Sequence, residues 1–183
     1  QQYRPREYRV EGDYSQGAFW IVAGLLGGKV VSKDLAKNSL QGDREIVEIV
    51  ERMNGSIVVG ENSITTKESD LGSTTIDASQ CPDIIPVLSV LAALAKGETH
   101  IVNGKRLRIK ESDRIESTRT ELEKLGANIR EEGDGLVIVG RETLAGGAEL
   151  DSWNDHRIAM AMAIASIRCE KPISIKNSGA VSK

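Results

Sequence analysis

The same succession of strands and helices is written into this chain almost three times, and such a repeat constrains the fold more than any single residue does. The first unit opens at Tyr8-Arg9-Val10-Glu11-Gly12-Asp13, expected as a short strand. A helix is expected from about 16 to 26, stopped by Gly27-Gly28. Lys29-Val30-Val31 reads as a strand, and Asp43 as the cap of a second helix carrying Ile46, Val47, Val50 and Met53 and closed by Gly55. Ser56-Ile57-Val58-Val59 and Ile64-Thr65-Thr66 flank Gly60-Glu61-Asn62 as a hairpin.

The second unit replays the order. Thr75-Ile76-Asp77 is a strand, Asp83 to Lys96 a helix stopped by Gly97, and His100-Ile101-Val102 a strand. Ser112 or Asp113 caps a helix running through Leu125, and Ala127 to Val139 forms a hairpin turning at Gly133-Asp134-Gly135. The third unit begins alike, with Glu149-Leu150-Asp151 as strand, Asn154 to Ile167 as helix and Pro172-Ile173-Ser174-Ile175 as strand, and then the chain stops. The expected architecture is α/β, built of β-α-β-α-β-β units at about 8–70, 71–145 and 146–183, the last incomplete, with residues 1–7 the remnant of a linker. A third unit without its second helix and hairpin suggests a fragment, or a lobe completed by a segment from elsewhere in a parent protein.

Composition removes several function classes. The chain has 183 residues, enough for one sizeable core. Aromatic residues make up only 3% and the net charge is −3, which disfavours a base-stacking or polyanion-coating protein, so no nucleic-acid partner is expected. Small anions need only a local cluster of cations. Two distant cysteines, Cys81 and Cys169, form neither a disulfide framework nor a metal signature. With no visible signal peptide and no run long enough to span a membrane, a bacterial cytoplasm is expected and no membrane partner is. Because the chain opens on Gln1, the true start of the gene product is expected upstream.

Two stretches carry the chemistry. In Leu107-Arg108-Ile109-Lys110-Glu111-Ser112-Asp113-Arg114-Ile115 a strand end is expected to run into a helix start. Glu111, Ser112 and Asp113 suit a first turn, whereas Arg114 opposes the helix dipole, at a cost of about 0.3–1 kcal/mol. An anion should offset it. A local pair with Glu111 or Glu116 would do so, and so would a phosphate or carboxylate ligand drawn by Lys110 and Arg114 together. In Trp153-Asn154-Asp155-His156-Arg157-Ile158, Asn154 or Asp155 caps a helix and Arg157 again lies in a first turn. Two such arginines in neighbouring repeats suggest one anion held from two sides. His156 reads equally as structural or catalytic. Asp83, before an apolar helix that tolerates Pro86 in its first turn, reads either as a plain N-cap or as a carboxylate placed to take a proton from a hydroxyl. Cys81 reads as a small buried hydrophobe. Lys183 alone would be a solvated surface lysine. No dinucleotide or Walker glycine spacing and no metal-ligand spacing is present, so neither metal nor cofactor is expected.

Taken in order, Glu11-Gly12-Asp13, Pro82-Asp83, Arg108-Ile109-Lys110-Glu111-Ser112-Asp113-Arg114, Asn154-Asp155-His156-Arg157 and Lys183 resemble the enolpyruvylshikimate-phosphate synthases, from about Arg9 to the end. That resemblance implies one lobe of a two-lobed, metal-free transferase, an inside-out α/β barrel with helix N-termini aimed at a cleft. The other lobe, the parent's first strand region and its last helix are then absent from this chain. It implies transfer of the enolpyruvyl group of phosphoenolpyruvate to the 5-hydroxyl of shikimate 3-phosphate, by a monomer. By position, Asp83 matches the proton acceptor for that hydroxyl and Glu111 a carboxylate of proton transfer at the methylene carbon. Lys110 matches a lysine at the shikimate phosphate, and Arg114, Arg157 and Lys183 match the cations that hold phosphoenolpyruvate. Lys183 is also a candidate proton donor, while Asp155 and His156 lie inside a motif without an assigned role. Arg106 stands where some relatives have an asparagine that contacts the substrate. Three alternatives stay open: the related cell-wall enolpyruvyl transferase, an RNA phosphate cyclase built of similar repeats, and a non-catalytic binding module, the last being expected of the fragment alone.

Overall fold

The computed structural model describes residues 3–182. The repeat is real, and its units arrange around three helices that each follow a unit's opening segment. These are α1 (Tyr14–Gly27), α3 (Ile85–Ala93) and α5 (His156–Ala165), which pack against one another. Every residue of α3 is buried. A helix apolar all round has no solvent face, so α3 becomes the axis of the core. Phe19, Ile21 and Leu25 of α1 and Ile158, Ala161 and Met162 of α5 close around it.

The sheets lie outside this helical centre. β1 (Val30–Lys33), β3 (Ser63–Lys67) and β2 (Ser56–Gly60) form an antiparallel sheet in that order. Unit 1's second helix, α2 (Ile46–Arg52), follows a 3-10 turn at Gly42–Glu45. In unit 2 the order is β4-β5-β7-β6, with β4 (Thr75–Asp77) parallel to β5 (Glu98–Val102), and β7 (Gly135–Val139) antiparallel to both β5 and β6 (Asn128–Glu132). Its second helix, α4 (Arg114–Lys124), packs on α3 and α5. In unit 3, β8 (Leu144–Gly146) pairs with β10 (Cys169–Lys171), and β9 (Glu149–Asp151) with β11 (Ser174–Lys176), both in parallel.

Several expectations need correction. The strand at Tyr8–Asp13 does not form. Units 2 and 3 each end their opening parallel ladder on a shared rung, Ala78 N–H to Val102 O (2.9 Å) and Ser152 N–H to Lys176 O (3.2 Å). Unit 1 keeps only that rung, Gly12 N–H to Asp34 O at 2.8 Å. Tyr8 and Val10 before it are each 75% exposed, so no burial draws them onto β1. The rung itself requires glycine, since a Cβ on Gly12 would lie 2.5 Å from the Asp34 carbonyl oxygen.

Helix α1 begins at Tyr14, before the expected start, because Asp13 caps it and accepts the Ser15 N–H at 2.8 Å. Asp43 caps nothing and lies within the 3-10 turn. The helix expected from Asp83 is shorter at both ends, and Asp83 does not cap it: Ile84 holds the cap position with no side-chain bond. In the third unit the cap is Asp155, not Asn154. Strands β8 and β10 were not expected; Leu144-Ala145-Gly146 and Cys169-Glu170-Lys171 lack the polar-apolar-polar alternation that marks β4 and β9.

Candidate functional site

The site is assembled where the starts of α1, α4 and α5 meet the loop before α3. Asp113 caps α4, accepting the N–H groups of Ile115 (3.1 Å) and Glu116 (3.2 Å). That leaves Arg114 as the first helical residue, with its side chain turned inward and 1% exposed. Its Nε donates to Asp155 Oδ2 at 2.8 Å and its Nη1 to Asp83 Oδ1 at 2.6 Å. Its Nη2 donates to Glu111 Oε2 at 2.7 Å and, more weakly, to Asp155 Oδ1 at 3.3 Å. Carboxylates from three parts of the chain therefore offset the cation that sequence places against its helix dipole. Glu111 is one of them; Glu116 is not.

Asp155 is fully buried and does two jobs. As the cap of α5 it accepts the Arg157 backbone N–H at 2.9 Å, and it also takes Arg114 and the Ser112 hydroxyl (3.0 Å). Burial opposes its charge, but the Arg114 hydrogen bonds and field outweigh burial and hold the carboxyl below its usual range. Arg157, 7% exposed, sends Nη1 to Ser15 O (3.0 Å) and Nη2 to Ser15 Oγ (2.7 Å), tying α5 to the first turn of α1. Lys110 Nζ lies 3.0 Å from Asp83 Oδ1. Burial opposes charge on Asp83 too, and Lys110 and Arg114 together overcome it, so this carboxyl also stays below its usual range.

Of the residues expected from sequence, Asp83, Lys110, Glu111, Arg114 and Asp155 are brought together. Arg157 shares Asp155 with Arg114 through its backbone, but its guanidinium points at Ser15. Both arginines are buried and engaged by protein groups. His156 sits at the edge, its Nδ1 3.9 Å from Asp155 Oδ1, beyond hydrogen-bonding distance. Arg106 reaches only the Ser79 carbonyl, at 3.4 Å. Lys183 lies outside the described residues. Cys81 is buried, and its thiol is pushed up to about 12 by burial and by the charges of Asp43 and Glu45, so it is no nucleophile at neutral pH.

Sequence reasoning missed Asp43, taken for a cap. The chain comes so close there that a Cβ on Gly42 would lie 2.3 Å from the Gln80 carbonyl oxygen, which sets Asp43 against the loop carrying Asp83. Burial first, then the Asp83 charge, raise the Asp43 carboxyl to about 6, against the opposing pull of Arg157 and Lys110. A raised carboxyl favours the fold while protonated, so its contribution is complete below the unfolded value near 3.8 and is lost as pH climbs through about 6. Asp43→Asn should therefore stabilise the protein at pH 8, by up to about 3 kcal/mol, and leave stability at pH 3.5 unchanged. Urea denaturation at the two pH values checks this; equal effects at both would refute it.

The EPSP synthase family (3-phosphoshikimate 1-carboxyvinyltransferase) matches residues 1–183. A 3-phosphoshikimate 1-carboxyvinyltransferase of Clostridium novyi is 57% identical over 178 residues, which cover 97% of this chain and 41% of that protein. The structure of an EPSP synthase from Acinetobacter baumannii superposes with a TM-score of 0.83 at 30% identity, covering 94% of this chain and 43% of that one. The enolpyruvyl transferase NikO from Streptomyces tendae shares the fold, with a TM-score of 0.71 at 20% identity over 94% of this chain and 40% of its own. The chain spans about two fifths of the length of the curated relatives it matches.

Proposed function

The chain belongs to the EPSP synthase family, and from that premise we propose that it forms one lobe of a 3-phosphoshikimate 1-carboxyvinyltransferase. In this reading the acceptor oxygen of shikimate 3-phosphate attacks C2 of phosphoenolpyruvate, and Asp83 takes its proton. C3 receives a proton from Glu111 or Lys183. The tetrahedral adduct then loses a proton from C3 and expels phosphate, restoring the vinyl group. Arg114, Arg157 and Lys183 hold phosphoenolpyruvate, and Lys110 contacts the acceptor's phosphate. Positioning and fixed charge supply most of the rate enhancement.

One observation carries this reading. Asp83 sits where its repeat-mates Asp13 and Asp155 cap helices, yet it caps nothing and lies within hydrogen-bonding distance of both Lys110 and Arg114. A carboxylate that caps no helix and lies at the mouth of the site is free for another role, which supports the reading of Asp83 as proton acceptor. Charge balance supports the need for a second lobe. Among the described residues, the carboxylates Asp83, Glu111, Asp155 and Asp43 outnumber the cations Lys110, Arg114 and Arg157 around them, too little positive charge for a polyanionic substrate pair. Further cations must come from Lys183 and from the other lobe, so the chain alone should be inactive. Among the described residues no helix is long and apolar enough to cross a membrane; a monomeric, cytoplasmic enzyme is the proposed setting.

The test is phosphate release by full-length protein from phosphoenolpyruvate with shikimate 3-phosphate, or with UDP-N-acetylglucosamine, as acceptor. Turnover with the first acceptor alone is expected. Turnover with only the second, or with neither, would overturn the proposal.

A further inference from the structure

Seven residues beyond Arg114 on α4, about 10 Å along the helix axis, lies a second carboxylate with no solvent exposure, Glu121. Its Oε2 accepts the Asp151 backbone N–H at 3.0 Å and its Oε1 the Trp153 indole Nε1–H at 2.7 Å. Lys124 Nζ adds a bond of 2.9 Å to each oxygen. Both polar donors from outside α4 belong to the turn between β9 and α5, the turn that delivers Asp155 to Arg114 and starts the helix bearing Arg157.

That turn is an unusual piece of backbone. Trp153 and Asn154 are consecutive and both left-handed, with φ 54° each. A bulky aromatic residue rarely adopts this conformation, and surroundings must impose it. The imposing contacts are on view. Asp151 Oδ1 accepts the Trp153 N–H (2.7 Å), Ser152 Oγ accepts the Asn154 N–H (3.1 Å), and Ser152 donates to the Asn177 carbonyl (2.9 Å). Glu121 links this turn to α4 about two helical turns from Arg114. Helix α4 therefore grips the β9–α5 turn at two points, Arg114 to Asp155 at the site and Glu121 to Asp151 and Trp153 two helical turns away. With two attachments the turn can neither pivot nor slide on α4, and the spacing of Arg114 from Arg157 is set.

We infer that Glu121 is a positioning residue of the transfer reaction: through Asp151 and Trp153 it fixes the register between α4 and α5, and so the spacing of the two arginines. The inference rests on the reading that these arginines hold phosphoenolpyruvate. Glu121 itself touches no substrate.

The experiment compares full-length wild type, Glu121→Gln, Trp153→Phe, the double variant and Arg114→Lys by steady-state kinetics. The glutamine side chain of the first variant can accept only one of the two donors from the turn, and the phenylalanine of the second keeps an aromatic ring while removing the indole N–H. The Glu121→Gln enzyme should show a KM for phosphoenolpyruvate raised about tenfold, with the KM for shikimate 3-phosphate and kcat each within threefold of wild type. Trp153→Phe should move the same KM in the same direction by about threefold. The double variant should do no worse than Glu121→Gln, because both cut one connection. A fall in melting temperature with an unchanged KM for phosphoenolpyruvate would make Glu121 structural only and overturn the inference. The Arg114→Lys enzyme separates the two failures. If its KM for phosphoenolpyruvate is also unchanged, the clamp reading has failed; if it rises while that of Glu121→Gln does not, only the positioning role has.

Discussion

Replacing Arg114 by methionine in the full-length protein is expected to lower stability by about 3–5 kcal/mol and to reduce kcat/KM for phosphoenolpyruvate at least a hundredfold. The stability loss follows from Asp155. That carboxylate has no solvent exposure and keeps its charge because Arg114 donates to both of its oxygens. Without the guanidinium it retains only the Ser112 hydroxyl and the Arg157 N–H, too little for a buried anion. Adding Asp155→Asn removes the orphaned charge while its side-chain oxygen still caps α5. The double variant should regain most of the stability and none of the phosphoenolpyruvate affinity. Denaturant titration with steady-state kinetics separates the two quantities. A single variant within 1 kcal/mol of wild type, or a double variant that recovers substrate affinity along with stability, would contradict this account.

The pH dependence has a definite sign. Asp155 and Asp83 are both held below the usual carboxylate range. Their contributions to stability are complete above the unfolded value near 3.8 and fade as pH falls through the lower folded values. Asp43 acts in the opposite sense and over a higher window, from about 4 to about 6. Asp43→Asn should therefore flatten the loss of stability between about pH 4 and about pH 6 and leave the acid side unchanged.

The repeat was legible because helix stops and turns have local causes. Gly28 and Gly133 take positive φ where a helix stop and a hairpin turn were read from the sequence, whereas Gly97 lies four residues past the end of α3. The second-unit strand at Thr75-Ile76-Asp77 and the third-unit strand at Glu149-Leu150-Asp151 fall where expected. The unit 1 strand at Tyr8 did not, since pairing depends on what covers the strand, and sequence period cannot report that. The site was half legible. Arg114 and Arg157 stand out because a cation in a first helical turn breaks a local rule. What neutralises them comes from far along the chain, with Asp83 and Arg114 separated by 31 positions and Ser15 and Arg157 by 142. No local pattern could choose Asp155 over Glu116 as the partner of Arg114. Asp43 and Glu121 were hidden for another reason. Each occupies an ordinary helical position for an acid, and only close packing, with the Gln80 backbone in one case and the Trp153 turn in the other, gives it a role.

Asp83→Asn is expected to lower kcat by about a hundredfold to ten-thousandfold while leaving the fold intact. The side chain is one-third exposed and shares Arg114 with Glu111 and Asp155, so an amide there costs about 1 kcal/mol or less. Its remaining oxygen can still accept from Arg114 or Lys110, and both substrates should bind within threefold of wild type. What disappears, in the proposed reading, is the acceptor for the hydroxyl proton. Lys110 and Arg114, at 3.0 and 2.6 Å, hold the Asp83 carboxyl below its usual range and so make it a weak base. Under the proposed function, substrates would change this: an incoming phosphate would take N–H donors from Arg114 and a second phosphate would draw Lys110, so Asp83 would lose the cations that depress its basicity just as a hydroxyl arrives. Substrate binding would thus create the base. Two results separate this from a passive role: kcat for the wild type should fall at a higher pH on the acid side than the free carboxylate titrates, and that limb should vanish in Asp83→Asn. A kcat within threefold of wild type, or an acid limb that persists in the variant, would assign the proton to another group.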